Sequence, residues 1–235
     1  MDMPKLAIVA ALEREVDGLI KDWNRVERDH AGRIFTFFEH HELVLVCGGI
    51  GLEASRRAAE AAIALYHPAL VQSVGFAGAL DASMQIGDIL SPAVVLDARD
   101  GSRVEIAGGK GTLVTFMTVA GTGQKRNLAQ AYGAQAVDME AAAVAAAASA
   151  HGIPFTATKV ISDGLDFDMP ETARFIDAQG RFHTAAFAFY AVVRPWLWFR
   201  VAALAGNSRK AARALAAHLN NCCQPMNEAV EAKIT

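Results

Sequence analysis

Unbroken apolar runs alternate with helical spacings along most of the chain. "KLAIVAAL" (Lys5–Leu12) is the pattern of a strand covered on both faces. "EREVDGLIKDWN" follows, with Val16, Leu19, Ile20 and Trp23 at helical spacing. "RIFTFFEH" and "ELVLVC" predict a hairpin turning near His40 and His41. "GGIG" (Gly48–Gly51) predicts a tight turn, and an alanine-rich helix follows to about Tyr66. "ALVQSVGFAGAL" is a buried strand ending in small residues, and "IGDILSPAVVLDA" and "TLVTFMTV" add two more. "GQKRNLAQAYG" is a short helix, "QAVDM" a strand end, and an alanine helix then leads to the strand "PFTATKVIS".

Strands that alternate with helices predict an α/β architecture. No internal repeat and no linker rich in Pro, Gly or Ser divides residues 1–220, so they read as one domain. After Asp168 the character changes: "AAFAFYAVVRPWLWFRVAALAGNSRKAARALAAHLN" reads as two or three helices broken at Pro195 and near Gly206. Residues from about Asn220, 221–235 in the main, read as a frayed tail.

Composition narrows the class. The 235 residues are 53% hydrophobic and 20% charged, which a folded core requires and a disordered chain lacks. A net charge of −3 argues against a general nucleic-acid binder. The N-terminal apolar run stops at Glu13, too soon for a signal peptide or a membrane span. Cys47 lies in a strand pattern and Cys222 and Cys223 are adjacent in a polar tail, so neither a disulfide framework nor a metal spacing is present. A cytoplasmic protein without a metal or other cofactor is expected.

Two features carry candidate chemistry. Gly49, Gly51 and Ala54 fit G-x-G-x-x-A between a strand and a helix, where backbone amides attract an anion or a ribosyl oxygen. The dinucleotide form of this motif also needs an acid at the end of the next strand. Here "VGFAGAL" offers none before Asp81, which argues against NAD. The bland reading is a turn that needs glycine geometry. The second feature is an acidic bracket around the alanine helix: Asp138 and Glu140 where it starts, and Asp163 where the next strand ends. In a parallel sheet both places lie on the carboxyl edge, where ligands bind. Against this stand helix capping by Asp138 with Glu140 on the helix dipole, and an Asx turn at Asp163.

"VDMEA" followed by "PF…VISD" resembles the nucleoside phosphorylase superfamily, and within it the branch of methylthioadenosine/S-adenosylhomocysteine nucleosidases. "AIVAALEREV", "CGGIGLEAS" and "VGFAGAL…IGDI" resemble the opening strand, glycine turn and central strand of that branch, in order, over about Lys5 to Asp168. "KRNLAQAYGAQAVDMEAAA" and "RPWLWFRVAALAGNSRKAARAL" resemble, more narrowly, the hopanoid-associated phosphorylases, which implies release of adenine from adenosylhopane, a triterpenoid with a 5′-linked adenosine. The implied fold is a central mixed sheet flanked by helices, and the implied assembly a homodimer.

The resemblance also implies roles. Asp163 protonates N7 of the leaving adenine, help that is worth roughly 10²–10⁴ in rate. Glu140 accepts hydrogen bonds from the ribose hydroxyls and faces the positive charge that develops on the ring. Met139 packs on the sugar, and Asp138 is a second acid, one methylene shorter than the usual Glu. Glu15 holds the attacking water, its bland reading being an ordinary helix-start acid. Two departures stand out. Phe76 replaces a small hydroxyl residue in the nucleophile pocket, and "VQSVG" lacks the arginine that phosphorylases aim at phosphate. Arg56 and Arg57 would replace that arginine only if the glycine turn brought them inward. Hydrolysis is therefore expected over phosphorolysis, with a phosphorylase and a noncatalytic nucleoside-binding protein as rivals.

Trp196, Leu197, Trp198 and Phe199 lie between Arg194 and Arg200. Aromatics beside arginine suit a membrane–water interface, and the expectation is weak peripheral membrane contact near the 5′ side of the pocket. The competing reading is an ordinary core helix or dimer face.

Overall fold

The computed structural model describes residues 6–231. In chain order the strands are β1 (Leu6–Ala10), β2 (Asn24–His30), β3 (Arg33–His40), β4 (Leu43–Cys47), β5 (Leu70–Ala79), β6 (Ile89–Leu90), β7 (Val94–Asp97), β8 (Arg103–Glu105), β9 (Thr112–Thr115), β10 (Ala136–Asp138) and β11 (Phe155–Asp163). The α-helices are α1 (Glu13–Ile20), α2 (Leu52–Tyr66), α3 (Thr122–Tyr132), α4 (Ala141–Ala150), α5 (Thr184–Val192) and α6 (Trp198–Glu231).

All five residues of β1 are buried because the strand is covered twice. Leu6, Ile8 and Ala10 pack with Val16 and Leu19 of α1 and with Ala211 and Leu215 of α6. Ala7 and Val9 pack with Ala58, Ala62 and Ile63 of α2 and Val144 of α4. The sheet runs β2-β3-β4-β1-β5-β10-β9-β7-β8, with β11 pairing β5 and β6 off that path. It is mixed: β1 is parallel to β4 and β5, β11 is parallel to β5, and β10 is antiparallel to β5 but parallel to β9.

The structure departs from the expected elements in four places. β2 and β8 are additional: "NRVERDH" is mostly polar and takes its extended form from pairing with β3, at the edge of the sheet where one side faces water. The run "IGDILSPAVVLDA" splits into β6 and β7 around Pro92, which has no N–H for a ladder, and the two halves join different neighbours. Gly206 does not break the last helix. A glycine there costs about 1 kcal/mol, and Ala211, Leu215 and Leu219 just beyond it are fixed in the core. The tail expected from about Asn220 is helical to Glu231, and residues 232–235 lie outside the described residues, as does Lys5 at the start of the first predicted strand. The break at Pro195 holds, as a single turn at Pro195–Leu197. Among the described residues no single helix is long and apolar enough to cross a membrane.

Candidate active site

β5 carries β1 and then β10 along one edge and β11 along the other. Val137 of β10 and Asp163 of β11 are both in register with Gly78. Two strand ends thus converge on Phe76–Gly78 from opposite directions. The acidic bracket is closed by this mixed pairing and not, as the parallel-sheet argument had it, by a shared carboxyl edge. A cavity of about 520 Å³ opens at the junction, and Glu15, Phe76, Asp138, Met139, Glu140 and Asp163 all line it.

Asp163 is aimed by an irregularity in its strand. The β5 register advances one residue, Ala77 to Gly78, while β11 advances two, Ile161 to Asp163, so Ser162 is bulged out. Ser162 Oγ then donates to Asp163 Oδ1 at 2.7 Å. Asp163 Oδ2 is ion-paired with Lys125 of α3, whose Nζ also donates to the Gly164 carbonyl at 2.6 Å. Both side chains are almost fully buried. These partners, not an Asx turn, account for the carboxylate.

A second group of charges spans β5, from Asp138 on β10 to Lys159 on β11. Asp138 Oδ1 accepts from Thr115 Oγ at 2.6 Å, and Oδ2 accepts from the Ala141 amide at 2.8 Å and pairs with Lys159 Nζ at 3.0 Å. Asp138 therefore does tie down the start of α4, from two residues before the N-cap, which is Glu140. The Glu140 side chain makes no cap. Its Oε1 accepts from the Gly51 amide at 2.8 Å and its Oε2 from the Met139 amide at 3.2 Å. The anion drawn to the glycine turn is thus a carboxylate of the protein itself. Each oxygen keeps a lone pair for a further donor.

Burial, and then the charge of Asp138, push the Glu140 carboxyl up to about 7, against the pull of Lys159 and the two amides. Burial, and then Glu140, push Glu15 up to about 8, with Lys159 and Arg14 opposing. Burial works against the Lys159 ammonium, but Asp138, Glu140 and Glu15 outweigh it and hold its pKa above the ordinary value. Glu15 Oε2 is buried without a hydrogen-bond partner among the described residues. It lies where a Cβ on Gly75 would approach it to 2.7 Å, so only glycine leaves the carboxyl in place. A buried carboxyl with one oxygen free and a raised proton affinity is equipped to take a proton from a ligand or a water.

Gly49 does not line the cavity. Its φ of +103° and the approach of Gln179 and Gly180 carbonyls, 3.0 and 3.1 Å from a notional Cβ, explain the residue. Arg56 and Arg57 point outward, paired with Glu53 and Glu60 on the surface of α2. The arginines that line the cavity are Arg14, stacked on Phe182 at 5.2 Å, and Arg209 of α6. Sequence reasoning passed over these and also Lys125, Lys159 and Ser162. A lysine in the apolar strand "FTATKVIS" was a legible sign of a buried counter-charge. Lys125 had no such sign, because its neighbour Arg126 is equally basic and faces solvent, paired with Asp166.

The family model described as the phosphorylase superfamily matches residues 5–110 and 110–195. The chain belongs to that superfamily. Among curated superfamily relatives, a 5′-methylthioadenosine/S-adenosylhomocysteine nucleosidase of Staphylococcus epidermidis is 27% identical over 195 residues, 67% of this chain and 86% of the relative. Among solved structures, the Arabidopsis thaliana 5′-methylthioadenosine nucleosidase in apo form superposes with a TM-score of 0.72 at 18% identity, over 97% of both chains. A 5′-methylthioadenosine/S-adenosylhomocysteine nucleosidase from Colwellia psychrerythraea, in complex with adenine, gives 0.61 at 22% identity, over 70% of this chain and 85% of that one. The mixed sheet flanked by helices is the fold of these superfamily structures.

Proposed function

We propose that this chain is a nucleosidase that hydrolyses the N-glycosidic bond of a 5′-modified adenosine and releases adenine. The observation that carries this reading is the presence of Asp163, Glu140 and Glu15 on the walls of one cavity. The names of the relatives, nucleosidases of 5′-substituted adenosines, and the adenine held by one of them support it.

The chemistry assigns each carboxyl a task. As the bond from C1′ to N9 breaks, its electron pair moves into the purine and positive charge grows on the ribosyl ring. Asp163 hands a proton to N7 or steadies one there, its carboxyl held in place by Lys125 and Ser162. Glu140 takes the ribose hydroxyls on its free lone pairs and faces the growing charge. Met139 packs on the sugar. Glu15, in its ionised form, takes a proton from the water that bonds to C1′. Asp138, with both oxygens engaged, fixes Lys159 and the start of α4, and so acts through its neighbours.

Water is favoured over phosphate by charge. The ammonium among Glu15, Asp138 and Glu140 is that of Lys159, and it is already paired with Asp138 at 3.0 Å, so it is not free to hold a phosphate. The observation on the other side is the presence of Arg14 and Arg209 in the cavity wall, which keeps a phosphorylase as the second reading. Toward α5 and α6 the wall is apolar, with Phe182, Phe187, Val201, Leu204 and Ala205. That lining suits an apolar 5′ group, and adenosylhopane carries one.

The test is to incubate the pure protein with 5′-methylthioadenosine, S-adenosylhomocysteine and a 5′-alkyl adenosine, with and without phosphate, and to separate the products. Free adenine and a free sugar in phosphate-free buffer are expected, fastest for the most apolar 5′ group. A sugar 1-phosphate as main product overturns hydrolysis, and no adenine from any substrate overturns the reading.

A further inference from the structure

Nine large hydrophobic side chains are exposed among the described residues, and six of them fall between Phe189 and Phe199, at the corner where α5 turns into α6. Phe189 and Trp196 are each 72% exposed and Phe199 is 85% exposed. The corner is not loose chain. Phe187, Ala191 and Leu197 are buried beneath it, the Trp198 indole N–H donates to the Ala191 carbonyl at 3.0 Å, and the Arg194 guanidinium lies 3.8 Å from the centre of the Tyr190 ring. α5 and the helical segment from Pro195 are bent by 114°, so the aromatics form a wedge and not a span.

Charge is segregated onto the same helices. Residues 184–219 hold Arg194, Arg200, Arg209, Lys210 and Arg213, five of the 22 Lys and Arg of the chain, and none of its 25 Asp and Glu. Of the acids before α5, Asp168 neutralises Arg200, while Glu171 and Asp177 are taken up by Arg174 and His183, which leaves none of these three for the other four cations of the stretch. A net acidic protein thus presents one basic, aromatic corner.

We infer that this corner docks on an anionic membrane surface, with Trp196, Phe199 and their apolar neighbours at the lipid–water boundary and the exposed Lys210 and Arg213 of α6 against the headgroups. Indole and phenyl rings prefer that boundary, and each nearby Lys or Arg strengthens attraction to an anionic leaflet. A second copy of this chain fits less well. A two-fold pairing of this patch sets one acid-free, basic stretch (residues 184–219) against another, whereas anionic headgroups neutralise it. The helices of the corner also line the cavity from within, through Phe187, Val201 and Leu204, so the docked surface lies about one helix diameter from the site, ~10 Å. The inference holds whatever substrate the cavity takes, because its test reads binding and not turnover.

The test is flotation with phosphatidylcholine vesicles, with and without phosphatidylglycerol, alongside tryptophan emission. Of the three tryptophans two sit on the patch, while Trp23 stacks on His40. The expected result is flotation with the anionic vesicles that weakens as salt rises, with emission shifted to the blue. Trp196→Ser/Phe199→Ser is expected to reduce flotation at least tenfold with an unchanged melting temperature. Lys210→Gln/Arg213→Gln, which leaves every aromatic in place, is expected to reduce it several-fold on anionic vesicles only. No flotation of the wild type, or equal flotation on neutral vesicles, overturns the inference. So does a Trp196→Ser/Phe199→Ser protein that floats like the wild type but loses an oligomer in light scattering, since the patch would then cover a second copy.

Discussion

Lys125 and Asp163 come from elements 38 residues apart and form an ion pair with almost no exposed surface. Gly78 makes room for it: a Cβ there would stand 2.8 Å from Asp163 Oδ2 and 3.0 Å from Lys125 Cε. The pair fixes the carboxylate proposed to serve N7, and it makes that carboxylate expensive to remove. Losing one partner of a buried pair leaves an uncompensated charge and costs roughly 3–5 kcal/mol.

Asp163→Asn is therefore expected to abolish adenine release and also to lower the melting temperature. In Asp163→Asn/Lys125→Met the stranded ammonium is gone, so stability is expected to recover by roughly 1–3 kcal/mol while activity stays lost. Chemical denaturation of the three proteins beside a single-turnover assay separates the roles. Activity in Asp163→Asn within threefold of the wild type would remove Asp163 from catalysis.

Glu15→Gln is expected to lower turnover by roughly 10²–10⁴ and to change how stability depends on pH. Folding lifts this carboxyl from 4.5 to about 8. Between those values the unfolded chain has released a proton that the folded chain still holds. The contribution of Glu15 is fully present below about pH 4.5 and declines by roughly 1.4 kcal/mol per unit until about pH 8. The Gln variant lacks this decline, so its stability relative to the wild type is expected to rise from about pH 5 to about pH 9. Parallel stability curves across that range would show that Glu15 is not held protonated.

Gly75→Ala is expected to act like a lesion in Glu15 without touching its chemistry. The new Cβ meets Glu15 Oε2, and the φ of +145° strains any side chain at a cost of about 1–3 kcal/mol. Turnover is expected to fall at least tenfold and the alkaline decline in stability to change. A Gly75→Ala protein with wild-type kinetics would mean that the position of Glu15 does not matter.

Glu140→Gln keeps an acceptor for the Gly51 amide but turns one carboxylate oxygen into a donor facing the Met139 amide. It is expected to raise KM and lower kcat together, because the ribose contacts tighten as charge develops. A change in thermal stability alone would leave Glu140 with a purely structural role.

Arg56→Ala/Arg57→Ala is expected to leave turnover unchanged with or without phosphate, since both side chains pair with surface glutamates. A loss confined to phosphate-containing buffer would place an anion site at the glycine turn after all.

The sequence by itself determined the order of most of the elements and the acids of the site. Apolar periodicity reports burial, and burial is what separates β1, β5 and β11 from the helices between them. Glu140 and Asp163 were legible because each stands where an element begins or ends, and Glu15 only through the resemblance to the nucleosidase branch. Elements with little apolar signal, such as β2 and β8, were not, since they are extended only because a neighbouring strand supplies their hydrogen bonds. The tertiary structure alone decided that β10 meets β5 antiparallel, that Ser162 bulges to turn Asp163 inward, and that Gly49 serves a contact with Gly180 and not the cavity. It also chose Lys125 over Arg126 as the buried cation. Which charges meet depends on how distant segments approach, and a local pattern of polar and apolar residues carries no record of that approach.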